Sequence, residues 1–188
     1  MTKIAKQKWL FYLALFAGLF AVALLFLYFS NRKVKKLRNM KFNSRTMRVS
    51  EHGKSLIKKH EGLRLTAYLC PAKVWTIGYG STGTHVREGM TITRAEADAL
   101  LEADIRRHEP PVQNLNVELT QNQFDALVSF VFNIGAGAFA TSTIRRKVLA
   151  NPDDPTIADE FRRWNKASGV VLNGLVNRRN DELKMYFA

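Results

Sequence analysis

Three side chains of complementary chemistry lie close together in this sequence: the carboxyl of Glu61, the thiol of Cys70 and the hydroxyl of Thr76. They sit in the run His60-Glu61-Gly62-Leu63-Arg64-Leu65-Thr66-Ala67-Tyr68-Leu69-Cys70, followed by Trp75-Thr76-Ile77-Gly78-Tyr79-Gly80-Ser81-Thr82. The apolar spacing through Leu56, Ile57 and Leu63 predicts a helix that ends at Gly62, which puts Glu61 at its C-terminus. Leu65 to Gly80 mixes β-branched and aromatic residues with Pro71, Gly78 and Gly80, the signature of a small antiparallel sheet. An acid at such a helix–sheet junction faces the crease between two lobes, where polysaccharide clefts form. Arg64, three residues on, is placed to fix its orientation or charge. Cys70 and Thr76 fall at opposite ends of the predicted hairpin.

This run resembles the phage-type lysozymes, a glycoside hydrolase family. The family pattern is Glu-Gly-Leu-Arg-Leu, an acidic residue nine positions after the Glu, and a Thr six later within Thr-Ile-Gly-Tyr-Gly. Glu61 and Thr76 occupy two of these positions, and Cys70 stands where the acid is usual. The resemblance continues through Gln123-Phe124-Asp125-Ala126-Leu127, Phe132-Asn133-Ile134-Gly135, Arg162-Arg163-Trp164-Asn165 and Gly174 to Glu182, and so covers residues 48–188. It implies an α+β, lysozyme-like two-lobed fold. It also implies a muramidase cutting the β-1,4 bond between N-acetylmuramic acid and N-acetylglucosamine in peptidoglycan, for host cell lysis by a phage.

In that reading Glu61 protonates the leaving sugar oxygen, which requires a carboxyl that holds its proton in a semi-apolar crease. Thr76 and the residue at position 70 hold the attacking water, as in an inverting glycosidase. Some membrane-exported members of the family carry Cys at this position. A thiolate there can accept a proton from water, stabilise positive charge on the sugar, or attack the anomeric carbon. Phe132 and Ser142 match positions that line the saccharide groove; Phe132 also fits a core role, and Ser142 a helix cap beside Thr141. Ser81 replaces a structural His found in many relatives. No metal or cofactor is implied. Two other readings remain: a wall-binding protein on a lysozyme scaffold, with Cys70 marking lost catalysis, and a virion-associated or lytic-transglycosylase-type enzyme.

The elements that must position these residues are legible in outline. Thr93 with Glu96 and Thr120 with Gln123 read as capping boxes, opening helices to about His108 and Phe132. Pro110-Pro111 closes the first, and Gly135 and Gly137 break the second. Further helices are predicted over Thr141–Ala150, Pro155–Asn165 and Gly174–Tyr186. The whole is one early sheet followed by a helical majority.

The formal net charge of +13 suggests a nucleic-acid binder until its distribution is read. Residues 1–45 carry ten Lys or Arg and no acid, leaving 19 basic against 16 acidic residues in the rest. That excess flanks an uncharged run, Trp9 to Phe29, whose 21 residues suffice to span a bilayer. The run ends in Leu27-Tyr28-Phe29, without a small-x-small exit, and so reads as an uncleaved signal anchor. The expected partners are therefore peptidoglycan strands and the membrane through residues 9–29, not nucleic acid, with a monomeric domain. The expected organisation is an anchor over 1–30, a basic linker over 31–47 and a catalytic domain over 48–188. Both flanks of the anchor are basic, three Lys before it and seven Lys or Arg after it. Taken literally, the positive-inside rule leaves the domain in the cytoplasm, whereas a wall hydrolase of the host inner membrane must reach the periplasm. Cys70 is the only cysteine, so no intrachain disulfide can form.

Overall fold

A computed structural model describes residues 39–70 and 72–188, together with Tyr28, Ser30 and Arg32. Lys41–Ala188 form one compact unit. The expected membrane span lies, apart from Tyr28, outside the described residues. Among the described residues no helix is long and apolar enough to cross a membrane.

The folded unit begins with strand β1 (Lys41–Asn43), inside the stretch that reads as linker. It pairs antiparallel with β5 (Glu118–Thr120), Phe42 opposite Leu119. Lys41 reaches Asp153, and the following turn buries Ser44 and Met47. The basic composition of its surroundings hid this strand, whose exposed residues give no apolar pattern while its backbone completes a ladder.

Helix α1 (Glu51–Glu61) starts at Ser50, whose hydroxyl accepts from the Gly53 amide. It stops at Gly62, whose φ of 70° is a conformation that Cβ-bearing residues adopt only with strain. Strands β2 (Arg64–Leu69), β3 (Trp75–Gly78) and β4 (Ser81–Thr82) follow as an antiparallel sheet in that order. Helix α2 (Arg94–His108) opens with the expected Thr93–Glu96 capping box. Pro110 and Pro111 end it but also start a short helix, α3 (Pro110–Gln113), because proline at the first helical positions lacks only an amide that would be unpaired there.

Helix α4 (Gln121–Ile134), with its Thr120–Gln123 box, is the axis of the core. Every residue from Asn122 to Val131 is buried. Its polar members are paired: Ser129 donates to Glu182 at 2.8 Å, and Asp125 accepts from the amide and hydroxyl of Ser50. Burial raises the Asp125 carboxyl above its ordinary range, and the Ser50 hydrogen bonds oppose that. The same contacts fix the start of α1 against α4.

The helix predicted over Thr141–Ala150 is α6 (Thr143–Ala150), and a short helix that the sequence did not announce, α5 (Ala136–Thr141), precedes it, the two separated where Ser142 leaves helical geometry. Gly135 ends α4 at a φ of 84°, whereas Gly137 lies inside α5. Helix α7 (Ile157–Arg163) leads to a hairpin of β6 (Lys166–Ala167) and β7 (Val170–Val171), in the span between two predicted helices to which the sequence assigned no element. The chain closes with α8 (Asn173–Tyr186), packed along α4.

Candidate active site

Glu61 occupies the last turn of α1, where the sequence placed it. Its side chain lines a cleft of about 390 Å³ with Tyr79, Gly80, Ser81, Thr82, Asp104, Arg107, His108 and Phe132. The cleft is walled by the β3–β4 turn on one side and by α2 and α4 on the other. Gly80 has a φ of 91°, and a Cβ built on it would lie 3.6 Å from Glu61 Oε2. Glycine here therefore serves both the turn and the space beside the carboxyl.

The partner of Glu61 is not Arg64. That guanidinium lies 4.5 Å from the Tyr68 ring centroid, on an exposed strand. Arg178, from α8, instead donates through Nη1 to Glu61 Oε1 at 2.6 Å. Its side chain is 4 % exposed, against 22 % for Glu61, so the cation is buried behind the acid. Arg178 Nε and Nη2 reach Glu182 Oε1 and the Ser129 carbonyl, each at 3.2 Å. Arg179 meets Glu182 Oε2 at 2.8 Å and Asn133 at 2.9 Å. Sequence proximity misdirected the reading. The useful signal was two arginines and a glutamate at i, i+1 and i+4, all of which α8 turns inward.

The neighbouring His60 points elsewhere, meeting Asp181 at 3.0 Å beside Lys59. Burial, aided by Arg178, lowers its proton affinity, and Asp181 works against that.

Cys70 and Thr76 are closer partners than the ends of a hairpin. Tyr68 pairs with Thr76 and Leu69 with Trp75, and Cys70 N donates to Val74 O at 3.0 Å, which brings the two strand ends together. Backbone amides of the turn, that of Val74 foremost, pull the Cys70 thiol below its ordinary range, and the Thr76 hydroxyl adds to the effect. Thr76 is buried and also donates to the Val74 carbonyl at 3.1 Å. The thiol is thus stabilised toward thiolate by fixed donors.

Phe132 shares the cleft with Glu61, its ring centroid 4.7 Å from that of His108. Ser142 is buried at the start of α6, where its hydroxyl accepts from the Arg145 amide at 3.1 Å and donates to Phe139 O at 2.7 Å. Its hydrogen-bonding capacity serves the cap rather than an open groove. Ser81 is buried on the cleft wall, and its hydroxyl has no hydrogen-bond partner. The sequence reading passed over Asp104, Arg107 and His108, which α2 brings to the cleft, with Asp104 and Arg107 paired. Among the described residues no group of three or more His, Cys, Asp or Glu is placed to hold a metal ion.

A small sheet and a helical majority meeting at a cleft, with a carboxyl at their junction, define a lysozyme-like α+β fold. Residues 58–182 match the phage lysozyme family, and the chain belongs to that family. The endolysin of Bacillus phage PZA is 43 % identical over 143 residues, 74 % of this chain and 55 % of the relative. The chain spans about half the length of the Bacillus phage endolysins it matches. A SAR-endolysin of Bacteriophage PS119 is 39 % identical over 126 residues, covering 65 % of this chain and 73 % of the relative. Among solved structures, the muramidase domain of SpmX from Asticaccaulis excentricus superposes with a TM-score of 0.69 at 41 % identity, covering 75 % of this chain and 98 % of that one.

Proposed function

We propose that this chain is an endolysin-type muramidase that hydrolyses the β-1,4 bond between N-acetylmuramic acid and N-acetylglucosamine in peptidoglycan. The observation that carries the proposal is Glu61, aimed into the cleft with one oxygen held by a buried guanidinium. Because Arg178 occupies Oε1, the proton available to a leaving sugar oxygen belongs on Oε2, the oxygen beside Gly80. Protonation of the leaving oxygen by a fixed acid contributes roughly 10²–10⁴-fold to rate.

Cys70 and Thr76 are assigned the water-holding role, the thiolate accepting and the hydroxyl orienting. Phe132 is assigned a sugar-facing surface of the cleft. Ser142 is assigned indirect support of the groove, through the end of α5 that it caps. The relatives named as endolysins and the solved muramidase domain support the peptidoglycan substrate. The SAR-endolysin relative supports an anchor over residues 9–29 and action in the periplasm; the folded unit is assigned to act as a monomer.

Release of reducing ends from purified peptidoglycan tests the assignment. Wild-type protein should release them, and Glu61→Gln should lose at least about a hundredfold while keeping its fold. An anhydro-muramic acid terminus in the product would exclude hydrolysis.

A further inference from the structure

Behind Glu61 lies a closed set of four charges: Glu61 and Glu182 against Arg178 and Arg179. Glu182 is fully buried, and Arg178 and Arg179 are 4 % and 1 % exposed. We infer that Glu182 is a positioning residue for the reaction assigned to Glu61. It holds Arg178 in register against Glu61 and cancels one of the two buried cations behind that carboxyl.

The geometry gives Glu182 a central place. Its Oε1 takes the Ser129 hydroxyl at 2.8 Å, and Arg178 Nε and Arg179 Nη2 at 3.2 Å each, while its Oε2 lies 2.8 Å from Arg179 Nε as an ion pair. Burial raises the Glu182 carboxyl above its ordinary range, and the two guanidiniums and the Ser129 hydroxyl, all cationic or donating, oppose that and favour the ionised form. Arg178 bridges the two carboxylates, with Nη1 on Glu61 and Nε on Glu182. Arg179 also stacks 4.8 Å from the Phe130 centroid, so it stays charged near Glu61 without touching it. Desolvation lowers its guanidinium to about 10, still protonated at neutral pH.

The other charges around Glu61 are already paired. On its own helix, Lys58 meets Asp98, and Lys59 and His60 meet Asp181. From α2, Asp104 and Arg107 pair with each other, and His108 packs on Phe132. Tyr79, from the β3–β4 turn, lies 5.5 Å from Lys58. The uncompensated influence on Glu61 therefore comes from α8. With Glu182 ionised, α8 presents one net positive charge; without it, two. The second cation favours the carboxylate of Glu61 over the acid the reaction needs.

The inference rests on Glu61 being the acid, so the experiment contains both. The pH dependence of kcat/KM on solubilised peptidoglycan is measured for the full chain, Glu61→Gln, Glu182→Gln, Arg179→Met and the Glu182→Gln/Arg179→Met pair, with folding checked by circular dichroism. Glu182→Gln should move the alkaline limb to lower pH by roughly one unit. Arg179→Met, which removes a cation, should move it to higher pH, and the pair should return it toward wild type. Glu182→Asp should restore part of the Glu182→Gln shift. If Glu182→Gln does not fold, the Arg179→Met shift decides alone. Folded variants with unmoved limbs overturn the role of Glu182 while leaving Glu61 intact. Full activity in Glu61→Gln overturns the acid assignment itself.

Discussion

At the scale of single residues, the mechanism proposed for this chain makes opposite demands on protons. It assigns Glu61 to donate a proton and Cys70 to act as a thiolate. The Cys70 thiol is pulled below the ordinary range by amide donors of its own turn, so thiolate forms at lower pH than for a free cysteine. The rate of alkylation by iodoacetamide should therefore rise with pH through a midpoint below the ~8.5 of an unperturbed thiol. Alkylated protein should lose activity, and Cys70→Ser should be impaired. Cys70→Asp should retain activity and become indifferent to iodoacetamide, because it restores the acidic residue usual at this position. Full rates in both Cys70→Ser and thiol-blocked protein would remove Cys70 from the site.

At the scale of elements, α1 delivers Glu61, and its placement depends on close approach to α4. A Cβ on Gly53 would lie 2.7 Å from Asp125 Cγ and 2.8 Å from Val49 Cγ1. Gly53→Ala should thus destabilise the fold by about 1–3 kcal/mol, measured by urea denaturation, through forced separation of the helices. Elements with local signals were legible in the sequence. Two capping boxes fix the starts of α2 and α4, and Gly62 fixes the end of α1. Elements set by partners far along the chain were not. β1 exists because Glu118–Thr120 completes it, and β6–β7 is a four-residue ladder around Ser168 and Gly169, too short to carry a period. The site divides the same way. Glu61, Cys70 and Thr76 announce themselves through local spacing, whereas Arg178 reaches Glu61 across 117 positions and only α8 docking on α4 reveals it.

At the scale of the molecule, the compact unit spans Lys41–Ala188 and takes in β1. A fragment of residues 41–188 should fold alone. One beginning at residue 48 loses β1 and buried Met47 and should be less stable by about 2 kcal/mol or more in thermal or urea unfolding. The charge is organised at this scale too, with ten basic residues in the first 45 flanking an apolar run and a nearly balanced remainder. The full chain should remain in the membrane fraction after carbonate extraction, and the 41–188 fragment should not. The most direct test of the central claim is end-group analysis of purified peptidoglycan treated with the wild-type chain and with Glu61→Gln. The account predicts new reducing N-acetylmuramic acid ends with the wild type and almost none with the variant. Equal release by both, or anhydro ends, would contradict it.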